Sequence, residues 1–215
     1  SMGRAQSGPM RGLVVIAVPV LLAAVALAGC GAPAGSPMEL SDGSPAQRWG
    51  DGPYGLVLVH EAGLDAASWS AQATAFADKG MTVVAVETAT PEAVVAALRT
   101  LLDDSGLDRV ALLGAGDGSR VAMEAALDEP DLVDQLVVIS ADGDAAALGV
   151  FPKLFVASEG EPAAAAAERM ADEAQGDWNA LYLAPGDASG QGLLSDDDGG
   201  EPTMEAIIAR LEERR

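Results

Sequence analysis

An α/β architecture, doubly wound around a mostly parallel sheet of about six strands with helices on both faces, follows from three features of the 215-residue chain. Short apolar runs of β-type residues recur from Gly55 onward. They lack the polar alternation of a half-exposed strand, which suits strands buried on both faces of a parallel sheet. Helical stripes, with apolar residues three and four apart, fall between these runs. Hydrophobic residues make up 49 % of the chain, which argues against disorder over its whole length despite a net charge of -21.

Taken in order, residues 1–29 read as a cleavable signal peptide. Arg4 and Arg11 precede an uncharged apolar run from Leu13 to Ala28. That run is shorter than the roughly 20 residues a spanning helix needs, and Pro19 interrupts it. A positive start, an apolar middle and small residues before a cut are the layout of a secretory signal. Residues 30–52 are rich in Pro, Gly and Ser and read as a flexible tether, with room for a short edge strand near Met38 to Leu40. The folded domain is expected over 53–215.

Within it, strands are expected at Gly55–His60, Met81–Val86, Arg109–Leu113, Leu136–Ser140, Lys153–Ala157 and Ala180–Ala184. Trp69, Ala73 and Phe76 share one face of a helix expected over Ala66–Asp78. Val94, Val95, Leu98, Leu101 and Leu102 form a second helical stripe, and Met204, Ile207, Ile208 and Leu211 another. Pro162, ahead of five alanines and Glu168, reads as the first turn of a further helix. In an open sheet of this kind the site lies at the C-terminal strand ends. An exposed sheet edge near Val83 to Val86 would offer a surface for pairing with another chain.

Composition removes several function classes. Twelve basic residues against 33 acidic ones, with a pI near 4.1, leave no basic footprint for nucleic acid or for a polybasic membrane-surface module. One Cys excludes an intramolecular disulfide and a Cys-based zinc cluster, and one His excludes multi-His metal sites. No metal and no cofactor is expected. The run Asp196-Asp-Asp-Gly-Gly-Glu201 lacks the ligand spacing of a calcium loop and reads as a solvated loop.

Two resemblances go further. Leu27-Ala28-Gly29-Cys30 resembles the lipobox of bacterial lipoproteins. It implies diacylglyceryl transfer to the Cys30 sulfur, cleavage before it, and anchoring on the extracytoplasmic face of the cell membrane. The stretch Val110-Ala-Leu-Leu-Gly-Ala-Gly116-Asp117-Gly118-Ser119-Arg120-Val-Ala122 resembles the nucleophile elbow of α/β-hydrolases, in which G-x-S-x-G joins a strand to a helix. Val57-Leu-Val-His60 is similar to that family's strand before the oxyanion loop. Phe155-Val-Ala-Ser-Glu159-Gly-Glu161 is similar to the segment carrying the triad acid. Leu183-Ala-Pro185-Gly-Asp-Ala-Ser189-Gly190 is similar to the turn carrying the triad His. The resemblance covers about Pro53 to the end and is closest to compact, dienelactone-hydrolase-like members with little or no lid.

The resemblance implies a degraded site. Gly116 stands at the nucleophile position, Ser189 at the His position, and Glu161, or alternatively Glu159, at the acid. A Ser-His-Asp site needs a hydroxyl to attack and an imidazole to take its proton. Asp117 is a second candidate for nucleophile if the register shifts. His60 would support the oxyanion loop, or else serve as an unusual base or ligand. Ser140 and Ser158, at strand C-termini, read as loop hydroxyls. Carboxylates at Glu61 and Asp117 would oppose negative charge developing on a reacting oxygen. Asp117 would meanwhile stabilise the start of its helix and serve as the site's resident anion. The expectation is therefore a membrane-anchored lipoprotein, non-catalytic, whose crevice binds a small neutral or cationic ligand or a protein partner through His60, Glu61, Asp117 and Ser140. Its alternatives are an esterase with an atypical site and a structural or interaction lipoprotein.

Overall fold

The computed structural model describes residues 33–103 and 107–213. The signal segment 1–29 and Cys30 lie outside the described residues. Eight strands form one sheet: β1 (Ser36–Glu39), β2 (Pro45–Trp49), β3 (Tyr54–Val59), β4 (Met81–Val86), β5 (Val110–Ala115), β6 (Gln135–Ile139), β7 (Lys153–Ser158) and β8 (Asn179–Ala184). Five α-helices accompany them: α1 (Ser70–Asp78), α2 (Pro91–Leu102), α3 (Asp117–Asp128), α4 (Ala164–Glu173) and α5 (Gly200–Glu212). The strand order is β1-β2-β4-β3-β5-β6-β7-β8. Pairing is parallel from β4 through β8 and antiparallel for β1 with β2 and β2 with β4.

β3 to β7 owe their burial to the apolar runs noted above, because successive side chains point to opposite faces and both faces are covered, whereas the edge strand β8 is partly exposed. Val57 and Val59 pack with Leu98 and Leu101 of α2, Ala122 and Met123 of α3, and Ala167 and Met170 of α4. Leu56 and Leu58 point the other way, to Ala73 and Phe76 of α1 and Ile207 and Leu211 of α5. Trp69 lies in a 3-10 turn, Ala66–Trp69, that leads into α1 and is fully buried in this second layer. Helix α2 shows how a start is fixed locally. Thr90 is extended and accepts a hydrogen bond from the Ala93 N–H, and Pro91 takes the first helical position, where no donor is missed.

Two expectations need correction. The sheet has eight strands where the apolar runs indicated about six, and the additional two come from the stretch read as a tether. Leu40 N–H bonds to the Ser44 carbonyl at 2.8 Å, and Asp42 accepts from the Ser44 N–H at 2.9 Å, which closes a hairpin between β1 and β2. Gly43 supplies the φ of 85° that this turn requires. Ala46 and Trp49 are buried, and the Trp49 indole donates to the Pro33 carbonyl at 3.1 Å. The second correction follows from the first. β2 covers β4, pairing Ala46 with Val86 and Trp49 with Val83, so Val83 to Val86 form no edge. The edge strands are β1 and β8.

Candidate functional site

The C-terminal ends of β3, β5, β6, β7 and β8 bring His60, Glu61, Gly116, Asp117, Ser140, Glu161 and the loop with Ser189 to one side of the sheet. The turn from β5 into α3 is built on glycine. Gly116 has φ 53° and ψ -123°, a conformation that L side chains rarely adopt. A Cβ at position 118 would stand 2.3 Å from the Val59 carbonyl and 2.4 Å from the His60 carbonyl, so only glycine lets α3 begin this close to β3. Beneath the turn, the buried Ser119 hydroxyl lies 2.7 Å from the Gly114 carbonyl and 2.9 Å from that of Ile139, and it accepts from the Ile139 N–H at 3.0 Å. Ser119 thereby pins the turn to β6. Its position directly after Gly118 was visible in the sequence, but the pinning role was not read from it.

Glu61 defines the space above this turn. A Cβ at position 116 would lie 2.6 Å from Glu61 Oε2, and one at position 190 would lie 2.2 Å from the same oxygen. The carboxylate therefore fills the volume that side chains at 116 and 190 would need. Two glycines, 74 positions apart in the sequence by their numbers, make room for one carboxylate. None of the hydrogen bonds or ion pairs among the described residues engages that carboxylate.

Asp117 behaves differently from the expectation set for it. It sits in the first turn of α3, where a negative charge meets the positive helix end, but its carboxylate pairs with Arg120 one turn on, at the exposed surface. The resident anion over Gly116 is Glu61. The physical reason is the helix geometry itself, which turns position 117 toward its i+3 neighbour.

His60 is buried, at 6 % exposure. Its Nδ1 lies 3.0 Å from the Glu61 carbonyl and its Nε2 3.2 Å from the Glu87 carbonyl. Both ring nitrogens face backbone oxygens, and whichever carries the proton donates to the carbonyl of Glu61 or of Glu87. None of the hydrogen bonds among the described residues links the ring to a serine hydroxyl.

The acid end of the arrangement is assembled. Glu161 is buried, and its Oε1 accepts from the Ser140 hydroxyl at 2.8 Å and the Ser158 N–H at 2.7 Å. Glu159, by contrast, is exposed. Ser140 holds φ 52°, the only non-glycine positive φ among the described residues, and this places its hydroxyl on Glu161. The Ser158 hydroxyl donates to the Ala188 carbonyl, and the Gly160 N–H to that of Gly186 at 2.8 Å, so the acid loop and the loop of Ser189 are stitched together. Ser189 itself is exposed and makes no capping bond to the 3-10 turn, Gly190–Ser195, that it precedes. That turn is tied back by Gln191 Nε2 to Ser68 Oγ at 2.9 Å and by Gln72 Nε2 to Ser195 Oγ at 3.0 Å. Neither glutamine stood out in the sequence, because each contact spans more than a hundred residues. Among the described residues, no group of three or more His, Cys, Asp or Glu is placed to hold a metal ion.

No protein-family model matches the sequence, and no curated protein matches it. Solved structures do. The dienelactone hydrolase of Anabaena variabilis superposes with a TM-score of 0.69 at 16% identity, covering 84% of this chain and 96% of its own. Carboxyl esterase 2 of Tuber melanosporum gives 0.68 at 14% identity, covering 84% of this chain and 87% of its own. A monoacylglycerol lipase from Paleococcus ferrophilus gives 0.66 at 14% identity, covering 83% and 100%. The chain has the α/β-hydrolase fold. At these identities the likeness speaks for the fold alone.

Proposed function

We propose that this chain is a lipoprotein, anchored through lipid on Cys30 at the extracytoplasmic face of the membrane, whose α/β-hydrolase-fold domain binds a ligand or partner without hydrolysing it. The observation that carries the reading is the Glu61 carboxylate resting over Gly116, where a hydrolase of this fold would raise its attacking oxygen. Acyl transfer needs a nucleophile and a proton acceptor there, and hydrogen-bond donors for the developing oxyanion. Gly116 brings no side chain, His60 is committed to backbone oxygens, and Glu61 adds a negative charge where negative charge would have to be stabilised. A partnerless carboxylate favours a neutral or cationic ligand over an anionic one.

Two measurements test this. The purified full chain should hydrolyse none of a panel of short-chain p-nitrophenyl esters above a mock preparation; turnover that disappears in His60→Ala or Glu61→Ala overturns the non-catalytic reading. In the membrane fraction of the producing cells, mass spectrometry should find acyl mass on Cys30, and Cys30→Ser should lose membrane retention. The competing reading is a working esterase with an atypical constellation. It draws its support from the solved neighbours, which are a dienelactone hydrolase, an esterase and a lipase. The ester panel separates the two.

A further inference from the structure

The other end of the sheet carries a second surface. Among the described residues the two most exposed large apolar side chains are Val150, at 70%, and Trp178, at 60%. Both line one cavity of about 570 Å³, together with Pro130, Val133, Phe151 and Pro152. It lies where β6, β7 and β8 begin, at the sheet end opposite Gly116 and Glu161. Scattered single apolar residues are ordinary at a protein surface, whereas two of this size beside one cavity form a candidate contact surface.

The loops that present this surface are held firmly. Lys153 Nζ donates to the carbonyls of Gly149 at 2.6 Å, Phe151 at 2.7 Å and Gln175 at 2.9 Å, and stands 4.7 Å from the centre of the Phe151 ring. Asn179 Nδ2 reaches the carbonyls of Ala174 and Gly176, at 2.9 and 2.8 Å. Gly176, at φ 95°, lets the Val150 carbonyl approach to where a Cβ would meet it at 2.4 Å. The Trp178 carbonyl accepts from the Lys153 N–H and from the Arg210 guanidinium. An apolar surface on such a scaffold loses little further entropy when covered, which is the property of an interface anchor.

Charge says what covers it. Asp131 and Asp134 line the cavity and Asp177 adjoins Trp178, with Asp131 and Asp177 exposed. A second copy of this chain would bring the same acids against themselves, at a net charge of -21 for each chain. An anionic lipid surface would be repelled likewise. We propose that this cavity docks a protein segment in which a Leu- or Phe-sized side chain is flanked by Arg or Lys, the apolar group entering beside Trp178 and Val150 and the cations facing Asp131 and Asp177. Arginine fits best, since it also stacks on an exposed indole.

The test uses the full chain in dodecyl maltoside micelles and a blocked Arg-Arg-Leu-Phe-Arg-Arg peptide, with the all-Glu counterpart as control. The basic peptide should shift the Trp178 indole and the Val150 and Phe151 amide signals in ¹H–¹⁵N spectra, leaving the Trp49 and Trp69 indoles in place. Trp178→Ala should weaken binding roughly tenfold or more, the scale of an interface anchor. Val150→Asp is the second variant should the first lose its fold, and it too should weaken binding. Raising sodium chloride from about 0.05 to about 0.5 M should weaken it several-fold. Equal binding of the acidic peptide, or shifts confined to other residues, overturns the proposal. So does a concentration-dependent dimer that Trp178→Ala abolishes, which would assign the surface to self-association. Quenching of Trp178 by brominated acyl chains after reconstitution into phosphatidylcholine vesicles would assign it to lipid and overturns the proposal as well.

Discussion

Gly116 and Glu61 are coupled by sterics, and the coupling is measurable. A side chain at 116 meets both a positive φ of 53° and the Glu61 carboxylate at 2.6 Å. The backbone alone costs an L residue about 1–3 kcal/mol. Gly116→Ser should therefore destabilise the fold, and Glu61→Gly should return part of the loss. In a double-mutant cycle followed by urea denaturation, a coupling of about 1–2 kcal/mol is expected; strict additivity would show that the carboxylate moves aside freely. Installing a Ser and His pair at 116 and 189 consequently requires Glu61 to be shortened too. A second residue bears on alkaline stability. Tyr54 is buried, its hydroxyl donating to Asp134 and accepting from Gln135, each at 2.8 Å. Burial, chiefly, raises its pKa well above the ordinary 10, with the Asp134 charge adding to the effect. Its contribution is intact below the unfolded pKa of about 10 and is lost above it, as the unfolded chain releases a proton that the folded one keeps. Melting temperatures should fall above that pH, and Tyr54→Phe should shallow the fall.

Loops and strands show where reading the sequence succeeds. The six parallel strands and the faces of α1, α2 and α5 were legible; for β3 to β7, burial on both sides of the sheet writes itself as unbroken apolar runs, and β8 keeps such a run although it is partly exposed. Of the β1–β2 hairpin only the edge strand near Met38 was legible; β2 and its pairing with β4 were not. The hairpin's strands are short and half-exposed, and Pro, Gly and Ser dominate the composition around Ala46 and Trp49, the two positions that make β2 a strand. At the site the order of landmarks was legible, but the meeting of Glu61 with Gly116 and Gly190 was not, since no local pattern encodes a long-range side-chain contact. The burial of Glu161 against the Ser140 hydroxyl, with Glu159 left exposed, is likewise a long-range outcome. Lys153, an apparent anomaly at the head of a buried strand, is explained by the three carbonyls that it gathers from the loops before β7 and β8. Burial pushes its ammonium down to about 8. Between that value and the unfolded 10.5 the unfolded chain holds more protons than the folded one, so the stability due to this group should rise with pH across the window. Lys153→Met should erase that rise and speed amide exchange at Gly149–Phe151. A rising limb that survives the substitution would assign it elsewhere.

For the molecule as a whole, the acidic charge and the two ends of the sheet divide the labour. With 33 acidic and 12 basic residues, copies of the chain repel one another, which favours cationic or apolar contacts. The end with Glu61 presents a carboxylate, and the end with Trp178 an indole near Asp131 and Asp177, so on the proposed reading both would disfavour anionic partners.

The hairpin has a practical consequence. A laboratory fragment that starts at residue 53, the boundary composition suggests, would strip away β1 and β2 and bare the edge of β4 that β2 now pairs with, Val83–Val86. What is now an interior ribbon of valines would become a template for stacking fragment upon fragment. Such a fragment should form thioflavin-positive aggregates under conditions in which one beginning at residue 33 remains clear. A clear solution of both would mean that the hairpin is a dispensable cover.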